Sequence, residues 1–354
     1  MSQSILLLYS FPLIFMPDGS PDLAVQESVL SRLRSVEDAL RRLGYSTNAL
    51  EASGNLLELV QEIHSGRDDL VFNLCEEFFG CSQLEMNVAA LLELLQVPFT
   101  GSSALTLGLT QDKGKTKTIL AACGVPTPAF RVWQPQNQVQ VDGLRFPLIV
   151  KPLLEDASLG IDNEAFVQDE KALSCQIQKI YQAHKQPVLI EEYIEGRELN
   201  VSILGSDNPE VLPISEIDFS SLPAGLPKIC SYSAKWEEES REYISTVPVC
   251  PAPLSPPVEK QVKEISLQSY RIMECRDYAR VDIRLSPEGI PYVLEVNANP
   301  DISTDAGLPR SAKAAGLEYP ELIGRIVEVA WSRWKPVCSP KSVQPNDPGN
   351  PPRD

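Results

Sequence analysis

The chain has 354 residues, too many for one ordinary compact core, and that length suggests about two or three domains. Its 43% apolar and 22% charged content is ordinary for a globular protein. The formal charge of −17 argues against nucleic acid or an anionic membrane as the main partner, because phosphate backbones are gripped by clustered Lys and Arg; a mononucleotide, which needs only a few placed cations and a metal ion, stays open.

The opening segment, MSQSILLLYSF, has no basic region ahead of its apolar run, and the run is too short for a spanning helix. SILLLYS (4–10) is predicted as a buried strand. VQESVLSRLRSVEDALRRLGY follows, with Val29, Leu33, Val36, Leu40 and Leu43 at helical spacing and Gly44 as a stop. DDLVFNLCEEF reads as another buried strand and CSQLEMNVAALLELLQVPF as a helix ending near Pro98. Strand, helix, strand, helix predicts a small parallel α/β domain over 1–100. A Gly/Ser junction, TGSSALTLGLT (100–110), leads into an α+β block over 101–188. There FPLIVKP (146–152) is a strand, ALSCQIQKIYQAH a helix, and PVLIEEYIEGRELNVSILG two strands around a Gly turn. A third block spans 189–334. The tail, 335–354, is Pro-rich, nearly free of apolar residues, and expected to be disordered.

The eight Cys, at 75, 81, 123, 175, 230, 250, 275 and 338, form no CxxC pair and no zinc-type spacing. Reduced, mostly buried thiols in a cytoplasmic protein are expected. The two His, His64 and His184, belong to no motif and are read as surface residues.

Near the C-terminus, ARVDIRL (279–285), the turn signal SPEG and IPYVLEVNA read as a β-hairpin. Period-2 alternation puts Val281, Ile283 and Leu285 on one face with Leu294 and Val296. The other face carries Arg280, Asp282 and Arg284 with Glu295 and Asn297. Pairing around the turn sets Asp282 roughly opposite Glu295 and Arg280 opposite Asn297. Two carboxylates packed together repel unless a cation bridges them, and such hard oxygen ligands suit Mg2+. Taken alone, the pattern more often marks a solvated strand face with a cross-strand ion pair. Lys113 in QDKGKTK, Lys151 at the end of FPLIVKP and Lys235 in the loop-like SYSAKWEEES are each ordinary surface cations by themselves. Together with a metal-binding hairpin they could complete a phosphate cradle.

The ordered set FNLCEEFFG, PFTGSSALTLGLTQDKGKTK, FPLIVKP, LIEEYIEGRELNVSILG, YSAKW, ARVDIRL and LEVNANP, spread over about residues 1–330, resembles the ATP-grasp superfamily, in particular its D-alanine–D-alanine ligase-like carboxylate–amine ligases. The resemblance implies a three-domain ATP-grasp architecture: an N-terminal Rossmann-like domain with a parallel sheet, and two α+β subdomains clasping ATP. It implies that Lys113 and Lys151 hold the nucleotide phosphates and that Glu191 opens the segment passing the adenine, with Ile194 as its hydrophobic edge. Glu198 would bond the ribose hydroxyls, and Lys235 would be a further phosphate lysine on a mobile loop. Asp282, Glu295 and Asn297 would be ligands of Mg2+, two ions, with Mn2+ as a substitute. Arg280 would stabilise the acyl phosphate and the tetrahedral oxyanion. Small-molecule carboxylate and amine substrates are implied, and a homodimer through the N-terminal region.

Several positions depart from that pattern, all on the side of the amino-acid substrates. Glu27 is the nearest candidate for the acid that binds the first substrate's amine, although a solvated helix acid is the simpler reading. Ala157 stands where the family places a substrate-binding Ser, with Ser158 and Gly160 retained. Trp236 replaces a common Tyr. Pro300 is followed by Asp301 rather than Gly, and the Ser that grips the second substrate's carboxylate is Ala306. The expectation is an ATP-dependent ligase with an altered acceptor pocket, in which Asp301 or Asp305 could pair an amine. D-alanine–D-alanine ligase proper, transfer to a carrier-protein side chain, and a nucleotide-binding module without catalysis are the alternatives. The last is disfavoured by Arg280 and Lys235, which ATP binding alone does not require.

Overall fold

The computed structural model describes residues 3–11, 23–52, 54–139, 141–155, 158–237 and 239–335. Its first unit alternates β1 (Ser4–Tyr9), α1 (Leu23–Arg42), β2 (Ser46–Glu51), α2 (Leu56–His64), β3 (Leu70–Leu74) and α3 (Glu85–Leu94). The three strands are parallel, in the order β2-β1-β3. Ile5 to Leu8 are buried because helices cover the sheet on both faces, as continuous apolar strands require. The sequence reading missed β2 and α2: β2 is a sheet-edge strand with no buried residue, so it lacks the apolar signature. On α1, Val29, Leu33, Val36 and Leu40 face the core as expected, whereas Leu43 lies beyond the helix and is 43% exposed.

The segment read as a Gly/Ser junction is instead α4 (Ala104–Gln111), capped by the Ser103 side chain. Then come α5 (Lys113–Ala122), β4 (Phe130–Trp133), β5 (Leu148–Pro152), β6 (Phe166–Val167), α6 (Glu170–His184) and β7 (Val188–Glu192). These strands form an antiparallel sheet, β4-β7-β5-β6, with α6 packed on it through Leu173 and Ile177.

The chain then crosses to a second sheet made from β8 (Arg197–Leu204), β9 (Glu210–Val211), β10 (Ser215–Asp218), β11 (Val247–Val249), β12 (Tyr278–Leu285) and β13 (Pro291–Asn297), ordered β11-β10-β8-β12-β13 with β9 on β8. Thus β7 and β8, read as two strands around a Gly turn, belong to different sheets. Gly196 makes the crossing feasible: its φ is +128°, and a Cβ there would lie 2.0 Å from the Leu285 carbonyl oxygen. Between β10 and β11 the chain makes a long excursion carrying α7 (Tyr232–Trp236) and α8 (Arg241–Ser245). Lys235 therefore sits on a short helix, not in a loop. After β11, α9 (Pro256–Ile272) covers the apolar face of this sheet, where Leu199, Val201, Val281, Ile283 and Val293 are buried with Val262 and Tyr270.

The hairpin of β12 and β13 has the expected register, Asp282 opposite Glu295 and Arg280 opposite Asn297. A bulge between Asp282 and Ile283 shifts the remainder, so Val293, not Leu294, lies opposite Ile283 and on the apolar side. After β13 come α10 (Gly307–Ala314) and α11 (Tyr319–Arg333). Leu322, Ile323, Ile326, Val327 and Ala330 of α11 pack with Ile5, Leu7, Leu33, Val36 and Phe72, so the core around β1 uses both ends of the described chain. The buried Asp277 carboxylate fastens this arrangement. It accepts bonds from the Gly101 amide (2.7 Å), the Ser206 hydroxyl (2.9 Å) and the Arg333 guanidinium (2.5 and 2.7 Å).

The seven described cysteines are free, and only Cys75 and Cys275 are fully buried; Cys123 and Cys175 are exposed, so the expected burial holds for a minority. His64 is exposed as read, but His184 is half-buried beneath Gly160, where a Cβ would meet its Nε2 at 2.7 Å. The tail beyond Lys335 and Ala157 lie outside the described residues.

Candidate active site

The polar face of the six-stranded sheet carries the chemistry. Along β12 it shows Arg280, Asp282 and Arg284; β8 sets Ser202, Asn200 and Glu198 beside them, and β13 adds Asn297 and Glu295. Arg280 grips Asp282 with two bonds of 2.7 and 2.8 Å, and the Asn200 amide donates to the same carboxylate at 2.8 Å. Asp282 is thereby fixed in place.

Glu295 is different. It makes no hydrogen bond among the described residues, and the nearest ammonium, that of Lys113, lies at 3.8 Å. Burial pushes its carboxyl up, but Lys113, Lys151, Arg280 and Lys235 together outweigh burial and hold it at about 2. A carboxylate ringed by four cations and hydrogen-bonded to none stays charged with its lone pairs available. Among the described residues Asn297 Oδ1 accepts only the Asn299 amide, at 3.0 Å. Two carboxylates and an amide oxygen on one rigid face match the donor set of a Mg2+ ion shared with phosphates. Among the described residues no group of three or more His, Cys, Asp or Glu forms a self-sufficient metal cage.

Lys113 opens α5, whose N-terminus is capped by Asp112, and it is 2% exposed. One turn on, Lys117 is completely buried; sequence reasoning missed it, because a lysine four residues after another reads as a solvated helix face. Its ammonium donates to Thr127 Oγ1 at 3.0 Å and meets Glu191 at 2.7 Å, while Lys151 meets the other Glu191 oxygen at 2.6 Å. Thr127 in turn donates to the Val293 carbonyl of β13 at 2.8 Å. The Glu191 side chain, expected to open the adenine segment, is thus committed to two lysines. Burial raises its carboxyl, but Lys117 and Lys151 bring it below the ordinary value. Lys117 has only a share of one carboxylate, so burial prevails and lowers its ammonium to about 8.

Glu198 lies at the far end of the face, buried, 3.2 Å from Arg284. Burial raises its carboxyl despite that guanidinium. The Ile194 carbonyl also accepts from Arg284, at 3.0 Å. The alternation of charged residues on β12 had placed Arg284 on this face without suggesting a role for it.

The residues expected to touch the amino-acid substrates are less concentrated. Glu27 sits 65% exposed on α1 and pairs with Arg34 at 3.0 Å, outside the cluster. The Ser158 hydroxyl donates to the Cys230 carbonyl at 2.9 Å, tying its loop to the excursion that carries Lys235. Asp301 accepts from the amide and hydroxyl of Ser303 at 2.9 and 2.7 Å and lies 3.6 Å from the buried Arg32, which also pairs with Glu76. Ala306 occupies the N-cap of α10 with no side-chain bond to offer.

Comparisons with known proteins agree with this geometry. Residues 119–328 match the family model described as D-ala D-ala ligase C-terminus. The chain is 36% identical over 305 residues to the uncharacterized protein y4sG of Sinorhizobium fredii, covering 85% of this chain and 87% of that one. It is 33% identical over 312 residues to the D-alanine--D-alanine ligase of Methylacidiphilum infernorum, covering 88% and 93%. The solved D-alanine--D-alanine ligase of Bacillus anthracis, complexed with ATP, superposes with a TM-score of 0.73 at 25% identity, over 94% of this chain and 98% of that one.

Proposed function

Because the chain belongs to the D-alanine–D-alanine ligase family of ATP-dependent C–N ligases, we propose that this cleft activates a small carboxylic acid with ATP and passes the acyl group to an amine, through an acceptor pocket altered from that of D-alanyl-D-alanine synthesis. The observation that carries the reading is Glu295, held ionised by four surrounding cations, the nearest at 3.8 Å, yet hydrogen-bonded to none of them. A carboxylate does not acylate an amine at neutral pH, because oxide would have to leave. Phosphorylation by ATP gives an acyl phosphate, whose phosphate leaves readily.

Lys113, Lys151 and Lys235 neutralise the negative charge that accumulates on the departing ADP. Asp282, Glu295 and Asn297 would hold Mg2+, two ions, with Mn2+ able to substitute, and a bound metal would supply further neutralisation at the phosphates. Glu198 and the Ile194 segment receive the nucleoside. Arg280, fixed by Asp282, faces the oxyanion formed when the amine adds to the acyl phosphate. The excursion between β10 and β11, joined to the 158–163 loop through Ser158 and through the Tyr232 amide on the Ile161 carbonyl (2.7 Å), excludes water from that intermediate.

Ala306 has no hydroxyl and that of Ser303 is engaged by Asp301, which supports an acceptor not gripped by its carboxylate in the family manner. We place the domains near the bounds read from the sequence, 1–100, 101–188 and 189–334, with the second boundary moved past β7, which pairs with β4 and β5, and the reaction in the cytoplasm, where ATP and free thiols coexist. Among the described residues no helix is long and apolar enough to cross a membrane. A homodimer through the N-terminal region is part of the same proposal.

The test is a screen of carboxylic acids with MgATP and hydroxylamine. A hydroxamate formed with one acid names the donor, and ADP release with that acid across an amine panel names the acceptor. Exclusive formation of D-alanyl-D-alanine refutes the altered pocket. Tight ATP binding with no turnover on any acid refutes the ligase chemistry.

A further inference from the structure

We propose that Arg284 is a positioning residue that couples recognition of the nucleoside to the placement of the Lys235-bearing excursion; the inference rests on the reading that ATP occupies this cleft. Arg284 is 3% exposed and distributes its N–H groups over three separate segments. Nε donates to the Ile194 carbonyl at 3.0 Å, and an outer nitrogen donates to the Tyr193 hydroxyl at 3.1 Å, both in the crossover between the two sheets. The other outer nitrogen reaches Glu198 at 3.2 Å, on β8, and the Lys228 carbonyl at 3.0 Å, on the excursion. The guanidinium also lies over the Tyr193 ring (5.2 Å) and the ring of Phe219 (5.8 Å), the residue that follows β10.

One planar group therefore joins the segments that receive the nucleoside to the root of the arm bearing Lys235. From Lys228 the chain runs through Cys230 and Tyr232, both bonded to the 158–163 loop, to α7 and Lys235. Glu198 cannot change its bonding to meet a ribose hydroxyl without affecting the guanidinium that also holds the Lys228 carbonyl. Only a rigid fork of several donors bridges these acceptors at once; a lysine ammonium cannot.

The test uses the full chain and the R284M and R284K variants. Calorimetry measures affinity for MgATP and for inorganic triphosphate, and trypsin cleavage within 219–246 is followed with and without each. In the wild-type chain MgATP is expected to protect the excursion. Both variants should bind MgATP on the order of tenfold more weakly and lose that protection, while affinity for inorganic triphosphate, which lacks a nucleoside, stays within twofold. If R284M folds poorly, R284K, which keeps the charge and bulk, carries the same comparison. The inference is overturned if either folded variant retains wild-type MgATP affinity and protection, or if triphosphate affinity falls in step. A wild-type chain that binds no MgATP overturns the ATP reading itself, and that outcome shows in the wild-type arm alone.

Discussion

Replacing Lys117 with methionine separates the two roles a buried lysine can have. The ammonium is fully buried and shares Glu191 with Lys151. Holding it charged with its titration point near 8, against an ordinary 10.5, costs the fold on the order of 3 kcal/mol. That figure already sets the pull of Glu191 against burial, so K117M should leave stability unchanged or raise it by up to about 3 kcal/mol. Nucleotide binding should weaken, because Lys151 becomes the sole partner of Glu191 and is drawn from the phosphates. Losing one charge-assisted bond corresponds to about 1.5–3 kcal/mol, roughly ten- to a hundredfold in MgATP affinity. Denaturant melts and calorimetry read the two quantities separately. A pH series adds a signed check. Between about 8 and 10.5 the folded wild-type chain has released the Lys117 proton and the unfolded chain still holds it, so wild-type stability must rise with pH relative to K117M. A stability loss above about 3 kcal/mol with unchanged MgATP affinity would show that Lys117 is only a structural ion pair.

Glu295→Gln should abolish metal-dependent turnover and also lower stability by on the order of 3 kcal/mol at neutral pH, because four cations lose their common anion. The wild-type contribution is present above the ordinary carboxyl range and fades as pH falls toward about 2, so melts of both chains should converge in acid. Arg280→Ala should slow amide formation far more than it weakens MgATP binding, as measured by hydroxamate yield beside calorimetry; equal losses would leave only the ion pair with Asp282. Asp277→Asn should lower the denaturant midpoint by the equivalent of about 3–5 kcal/mol, since Arg333 is left without its buried partner, and an unchanged midpoint would show that the cluster holds nothing together.

The hairpin was legible in the sequence because alternation and a short turn fix a register locally, and Asp282 does stand opposite Glu295. Its bulge was not legible, because an extra residue leaves the composition of a strand unchanged. Lys113 and Lys151 could be grouped as a possible cradle from sequence, but what ties them, the shared field on Glu295, exists only in space and not along the chain. Lys117 hid for the same reason: an ammonium four residues after another looks like a solvated helix face until β7 brings Glu191 against it. The crossing at Gly196 was read as a turn because both a hairpin and a passage between sheets demand glycine, and sequence alone does not distinguish them. Glu27 stands exposed with Arg34 beside it, the arrangement expected of a solvated acid on an amphipathic helix.

The packing of α11 against β1 has a bearing on biosynthesis. Tyr9 leaves the ribosome long before Tyr319, yet the apolar flank of the first strand is covered by the helix that begins there. The usual order, in which the leading domain folds while the rest is being made, is closed to this chain. Until α11 arrives, α1 alone shields that side of the N-terminal sheet, and nascent chains stalled before residue 319 should be the species that chaperones hold.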